Sequence, residues 1–441
     1  MRGWDADRVA AAAGAELVRK APGGPEHVVI DSREAGPGDL FVGLTGENDD
    51  GGRFAAAALE AGAWGVLVAP SWAEALPGRG AVLAADDPLA ALGALARDWR
   101  QQLGAWVIVV TGSVGKTSTK DLIAALIAPH LCVAASRANF NTDIGMPLEI
   151  LAAPMGTEAL VLEAAMRGFG QIATLAAISR PDVAVITNIG PVHLEQVESL
   201  EGVARAKAEL IGGLVDGGTV VIPAGEPLLE PYLRRDPPVV PVTFGPGGDV
   251  DFDGDVVVAH GERLHLELPF SSRHQRLNAL AAVAAARAIG VRPSGRLNVT
   301  FGALRGERVA LPNGATVIND CYNASPLSVR AALDDLASET PSGRRIAVLG
   351  DMLELGAAER ELHREVGAAA EAAGVDVLVT VGPRAAKMLN AFDGEGYAVG
   401  TAQEAAALAG DLLGPGDVLL VKGSRGVGLE VVAETLAEAE G

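Results

Sequence analysis

The stretch that decides the fold is IVVTGSVGKTSTKD, residues 108–121. Its apolar, β-branched start predicts a buried strand, the glycines break it, and a helix is expected over residues 117–127. In Gly112-Ser113-Val114-Gly115-Lys116-Thr117 the glycines let backbone N–H groups converge on an anion. The following helix adds the positive end of its dipole, Lys116 reaches terminal phosphates, and Thr117 offers a hydroxyl to Mg²⁺. Only Ser113 and Val114 separate the two glycines, a shorter loop than the common phosphate-loop spacing. Such a loop indicates a nucleotide and no more, because kinases, motors, switches and ligases share it.

Outward from the loop, the strands ALVLEA, DVAVITN and TVVIPA alternate with helical patterns, which implies a parallel sheet covered on both faces. Residues 246–270 read as an antiparallel insertion, followed by an Ala-rich helix from about Arg276 to Gly290. Upstream, HVVIDS, DLFVGL and WGVLVA are short strands among Gly and Pro clusters. Downstream of RGERVALPNG the pattern restarts with ATVIND, RRIAVLGD, VDVLVTVG and DVLLVKGS, a second doubly wound unit. The expected class is α/β with three domains: a small α/β N-terminal domain (1–97), a central phosphate-loop ATPase with a mostly parallel sheet (98–308), and a C-terminal Rossmann-like domain (309–441).

Composition bounds the function. With 49% apolar and 21% charged residues the 441-residue chain can bury large cores. A net charge of −21 argues against nonspecific nucleic-acid binding and against docking on anionic lipid, which both need a positive field. A local cluster of cations can still hold a small anion. Cys132 and Cys321 give neither a disulfide framework nor a metal spacing. No run is long and apolar enough to span a bilayer, and MRGWDADRVA lacks the apolar core of a signal peptide, so the cytoplasm is the expected compartment. A monomer is the expected state.

TGSVGKT together with EAAMRGFGQI (163–172), TNIGPVHLEQVESLEGVARAKAEL (187–210), NDCYNASPLSVRAAL (319–333) and LGDMLELG (349–356) resembles the Mur ligase family of cell-wall enzymes. The resemblance spans nearly the whole chain and implies the three domains in this order. DSR at Asp31–Arg33 resembles the members that add the third residue or the terminal dipeptide, and DCYNASP at 320–326 with EAAMRG at 163–168 resembles the latter. The implied substrates are therefore ATP, a UDP-N-acetylmuramoyl-tripeptide and D-alanyl-D-alanine. Two departures stand out: Gly52 stands where the family usually has His, and Asn319 where Asp is usual.

The resemblance also assigns roles. Glu163, at the end of ALVLEA, would ligate Mg²⁺ with Thr117, and His193 would serve a second Mg²⁺. Lys207 would carry a carbamate formed from CO₂ and so become an anionic metal ligand, which needs a neutral amine. Arg308 would reach phosphate from the hinge, Asn278 would contact adenine and Asp351 the ribose. Asp31, Ser32 and Arg33 would hold the uridine end, Asn139 and Asn141 the muramoyl-peptide channel, and Asp320, Tyr322 and Asn323 the dipeptide. On the residues alone each has a plainer reading: Lys207 as a surface lysine paired with a glutamate, Glu163 as a solvated strand end, His193 as a structural histidine. The bias of six lysines against 29 arginines, with Lys116, Lys120, Lys207 and Lys422 all inside these strings, favours a need for the amine itself.

The chemistry explains the pattern. A peptide bond is made from a carboxylate activated as an acyl phosphate, so two anions must approach. At about 4 Å their repulsion is roughly 4 kcal/mol at an intermediate effective dielectric, which fixed cations and metal ions must offset. Rival readings are a sister ligase that adds a single amino acid, a nucleotide switch or transport ATPase, and a noncatalytic scaffold.

Overall fold

The computed structural model describes residues 3–438 apart from 47, 48, 75, 77, 138 and 303. Three large sheets follow one another along the chain, with a two-stranded one, Leu266–Glu267 beside Gly295–Arg296, between the second and the third. The first has five strands in the spatial order Glu16–Arg19, Ala81–Ala84, Gly65–Val68, Asp39–Val42, His27–Val29. All are parallel except the Glu16–Arg19 edge.

The helix Pro88–Leu103 joins this sheet to the next. Asp87 caps it by accepting from the N–H groups of Leu89 and Ala90, and Gly104 ends it in the left-handed region at φ 63°. Its buried face, Leu92, Leu95 and Trp99, shares one core with Met146, Ile150 and Leu151 of the central unit. The Trp99 indole also donates to the Ala153 carbonyl at 3.0 Å. Truncating a buried indole of this kind costs about 3–5 kcal/mol, so the helix belongs to the central core as much as to the first. The boundary expected at 97/98 therefore falls inside a continuous helix.

The central sheet runs Glu262–Leu264, Val256–Ala259, Val250–Asp253, Val240–Phe244, Thr219–Pro223, Val183–Ile186, Trp106–Thr111, Ala159–Glu163, Val133–Ala135. It is parallel from Val133–Ala135 to Val250–Asp253, and the insertion at 246–270 adds its last two strands antiparallel at the edge. Trp106–Thr111 sits inside this order, flanked by Ala159–Glu163 on one side and Val183–Ile186 on the other. The chain thus reverses its winding direction at that strand, and ligands bind at the carboxyl edge of such a switch point. The Ala-rich helix begins one turn earlier than expected, spanning Arg273–Ala288, and its small side chains pack against helix Lys116–Ile127.

The third sheet runs Glu307–Ala310, Thr316–Asn319, Val418–Lys422, Arg345–Gly350, Val377–Val381, Glu395–Val399, parallel except for its first pair. Glu307–Ala310 is thus a strand of this sheet rather than a linker, and the boundary expected at 308/309 cuts through it. Among the described residues no helix is long and apolar enough to cross a membrane.

Candidate active site

The carboxyl edge of the central sheet and the facing edge of the third enclose one cavity of about 1420 Å³. Six cations and six carboxylates line it, a neutral balance in a chain of net charge −21.

The phosphate loop is its floor. Gly112 has φ 152°, and a β-carbon there would stand 1.8 Å from the Thr187 hydroxyl; Gly115 has φ 82°, and a β-carbon there would stand 2.5 Å from Oδ1 of Asn278. Both positions admit only glycine. The segment after the strand Val183–Ile186 braces the loop from one side. Asn188 accepts from the Val114 N–H and donates to the Val114 carbonyl, both at 2.9 Å, while Thr187 donates to that carbonyl at 2.6 Å. The Ser113 hydroxyl donates to the Gly190 carbonyl at 3.0 Å and accepts the Gly190 N–H at 2.9 Å. No side chain caps the helix Lys116–Ile127, so its first N–H groups are left for an anion.

Lys116 donates to the Gly112 carbonyl at 2.9 Å. Burial pulls its proton affinity down; the Glu163 carboxylate opposes this and the Arg305 guanidinium adds to it. Thr117 donates to Oε2 of Glu163 at 2.6 Å, and Asn141 donates to Oε1 at 2.8 Å. Glu163 is 3% exposed. A hydroxyl and a carboxylate, hard oxygen donors, therefore meet beside the phosphate loop, an arrangement that suits Mg²⁺.

Lys207, on the helix Leu200–Gly212, is 2% exposed. Among the described residues no hydrogen bond or ion pair holds its amine, which overturns the reading of a surface lysine paired with a glutamate. Burial, and then the charge of Lys116, push it well below the usual lysine range, so the neutral amine is favoured. His193, in the left-handed region at φ 53°, lines the cavity, and its Nδ1 is bound by the Glu354 carboxylate of the third unit. Burial lowers its proton affinity against the pull of Glu354, with Lys116 and Lys207 adding to the lowering. The described residues hold no group of three or more His, Cys, Asp and Glu side chains arranged for a metal. A cation here would take its other ligands from water and phosphate, which is the habit of Mg²⁺. On these grounds the residues present fit the expected ion.

Other expected residues divide. Asn139, Asn141, Asn278, Arg308, Asp320, Tyr322 and Asn323 all line the cavity. Arg308, however, is held by Glu339, while Arg305, three residues earlier, lies over the Tyr322 ring at 4.0 Å and is the cation felt by Lys116. The Asp320 carboxylate and the Asn323 carbonyl accept from buried Lys422, at 2.6 and 3.1 Å. Asp351 is brought elsewhere: it is 5% exposed, is absent from the cavity lining, and accepts the N–H groups of Arg384 and Ala385 at 3.0 and 2.6 Å. Oδ1 is thus spent on that turn, and the ribose contact expected of Asp351 would fall to Oδ2, which among the described residues meets only Arg384, at 3.5 Å.

Asp31, Ser32 and Arg33 follow the strand His27–Val29 of the first sheet, outside the cavity. The Arg33 guanidinium and backbone N–H hold the Asp31 carboxyl at about 2. At Gly52 the space of a side chain is taken by Trp72, whose Cδ1 would stand 2.2 Å from a β-carbon. Arg305, Asn188 and Glu354 are site residues that sequence reasoning missed. All three lay within quoted strings, Arg305 as the first residue of RGERVALPNG, and nothing local marks their partners.

A phosphate loop at the switch point of one doubly wound sheet, roofed by a second, defines an α/β nucleotide-binding enzyme. Residues 110–286 match the Mur ligase middle domain, and residues 304–425 the Mur ligase, glutamate ligase domain. The UDP-N-acetylmuramoyl-tripeptide–D-alanyl-D-alanine ligase of Bacillus subtilis is 36% identical, covering 96% of this chain and 97% of its own. The protein of the same name from Escherichia coli is 34% identical, covering 93% of each. A crystal structure of MurF from Acinetobacter baumannii superposes with a TM-score of 0.89 at 28% identity over 99% of both chains. MurF ligase from Thermotoga maritima in complex with ADP gives 0.82 at 27% identity, covering 93% of this chain and 97% of that one. The chain belongs to the Mur ligase family.

Proposed function

We propose that the protein joins D-alanyl-D-alanine to the terminal carboxylate of UDP-N-acetylmuramoyl-tripeptide, with ATP converted to ADP and phosphate. The observation that carries the reading is the Thr117–Glu163–Asn141 chain of hydrogen bonds beside the phosphate loop, together with a buried lysine, Lys207, that feels the charge of Lys116 and has no counter-ion among the described residues. Relatives of that name, similar over nearly their full length, support the choice of substrates.

In this reading ATP lies along the loop, its phosphates on the N–H groups of residues 113–117, with Asn278 beside it on the Arg273–Ala288 helix. Thr117, Glu163 and His193 would hold Mg²⁺, two ions in all, with Lys207 as a carbamate. Bound there, the metal neutralises the two anions as they meet. Lys116 and Arg305 draw charge from the transferring phosphoryl group. The tripeptide carboxylate attacks it and displaces ADP to give an acyl phosphate; the dipeptide amine then adds to the acyl carbon, gives up a proton, and phosphate leaves. Asn139 and Asn141 would line the peptide channel, Asp31, Ser32 and Arg33 would hold the uridine end, and Asp320, Tyr322 and Asn323 the dipeptide. Arg308 would act from the rim only after release from Glu339.

The three sheets correspond to a uridine-binding unit, an ATPase unit and a roof. A monomer is the working form in this proposal.

Incubating the purified protein with ATP, the tripeptide precursor and D-alanyl-D-alanine should give the pentapeptide precursor by mass. Product with single amino acids in place of the dipeptide, and none with the dipeptide, would reassign it to a sister ligase.

A further inference from the structure

Segment 187–195 is held from two sides. Thr187, Asn188 and Gly190 grip Ser113 and Val114 of the phosphate loop. On the other side the third unit touches it three times. Leu327 Cδ2 would stand 3.0 Å from a β-carbon on Gly190, Glu354 binds Nδ1 of His193, and a β-carbon on Gly356 would stand 3.5 Å from Cγ of Glu195.

Both members of the His193–Glu354 pair have left-handed backbones, φ 53° and 62°, which residues with a side chain adopt rarely. Such conformations persist only where the surroundings hold them. An ionised carboxylate only accepts, so Nδ1 carries the proton in this pair, and the neutral ring then presents its lone pair at Nε2. Carboxylates in this relation to a histidine fix the ring and tautomer of metal ligands.

The geometry points to Glu354 as the positioning residue of His193: supplied by the third unit, it fixes the ring so that Nε2 is the atom offered to the divalent cation that accompanies the nucleotide. This rests on the reading of His193 as a metal ligand. Its consequence is that the cation site is complete only while the third unit is docked on the central one.

The test uses the whole protein with a nonhydrolysable ATP analogue and no acceptor substrate. Imidazole ¹⁵N shifts at one neutral pH report the tautomer of His193, whose signal is identified by its loss in His193→Gln. Mn²⁺ binding is counted by electron paramagnetic resonance. Glu354→Ala should shift His193 toward mixed tautomers and weaken one Mn²⁺ by about 10- to 100-fold, while Glu354→Gln, which keeps an acceptor oxygen, should stay close to the parent. If the alanine variant does not fold, Glu354→Leu takes its place. An unchanged tautomer, unchanged Mn²⁺ binding, or tighter Mn²⁺ binding, which would make Glu354 a competitor of the metal, each overturns the proposal. Mn²⁺ binding by His193→Gln equal to that of the parent overturns it too, by removing its premise. Failure of the dipeptide assay, by contrast, bears on the substrates alone.

Discussion

The carboxamide oxygen of Asn278 occupies the place that a β-carbon on Gly115 would need, 2.5 Å away. The helix Arg273–Ala288 thereby reports on the phosphate loop, 163 residues upstream of Asn278. Gly115→Ala must bear both this clash and a φ of 82°, a left-handed strain of about 1–2 kcal/mol. The variant should melt lower and lose measurable ATP-analogue binding by calorimetry; parent-like binding would contradict the fit.

Metal dependence should follow Glu163. Stripping divalent ions should abolish turnover, and Glu163→Gln, which keeps the hydrogen bond from Thr117 but not the charge, should lose about 10²-fold or more in kcat even at high Mg²⁺. Phosphate release that persists in chelator would refute the ion's role.

Lys207 lends itself to a stability measurement as well as a kinetic one. Its folded-state proton affinity is lowered from the usual 10.5 by burial and by Lys116, so the unfolded chain takes up a proton that the folded chain refuses. The group therefore costs stability below pH 10.5, and the cost shrinks as pH rises toward that value. In CO₂-free buffer Lys207→Met should melt higher than the parent at neutral pH, with the gap closing in alkali. In turnover assays Lys207→Ala should be inactive and partly restored by short carboxylic acids. Near-normal activity without them would remove the lysine from the mechanism.

Arg305 and Arg308 should separate. Arg305 stacks on Tyr322 and acts on Lys116, whereas Arg308 is occupied by Glu339. Arg305→Ala is expected to lower kcat/KM for ATP by about 10-fold or more and Arg308→Ala by no more than about 3-fold, a difference of order 1 kcal/mol in transition-state binding. The reverse order would restore Arg308 to the central place.

Thiol labelling should find one reactive cysteine in the folded protein. Cys132 is exposed, while burial, first of all, pushes the Cys321 thiol up to about 12, and its S–H is donated to Asn319 at 2.8 Å. Two thiols should react after unfolding; two in the native state would show that the loop bearing Cys321 opens.

What could be read from the chain was chemistry written contiguously. The phosphate loop carries its glycines, lysine and threonine in six successive residues, and Glu163 announces itself by ending an apolar strand. Glu354 did not, because its partner lies 161 residues away and only the docking of two units joins them. Arg305 and Arg308 are three residues apart on one short segment, and spacing alone does not say which of them turns toward the loop. The strands Glu307–Ala310 and Glu395–Val399 escaped for a related reason: each is an edge strand with charged, exposed positions, so neither shows the continuous apolar run of a buried one. Asp351 combines two uses that its motif alone does not separate: a strand-end carboxylate expected to meet a ligand, whose Oδ1 also starts the next turn.

The indole of Trp72 resting on Gly52 couples those two positions. Any residue with a β-carbon at 52 evicts the ring, and a smaller residue at 72 leaves a hollow over bare backbone. A chain moving between glycine and histidine there has either to swing the half-exposed ring aside or to change position 72 as well.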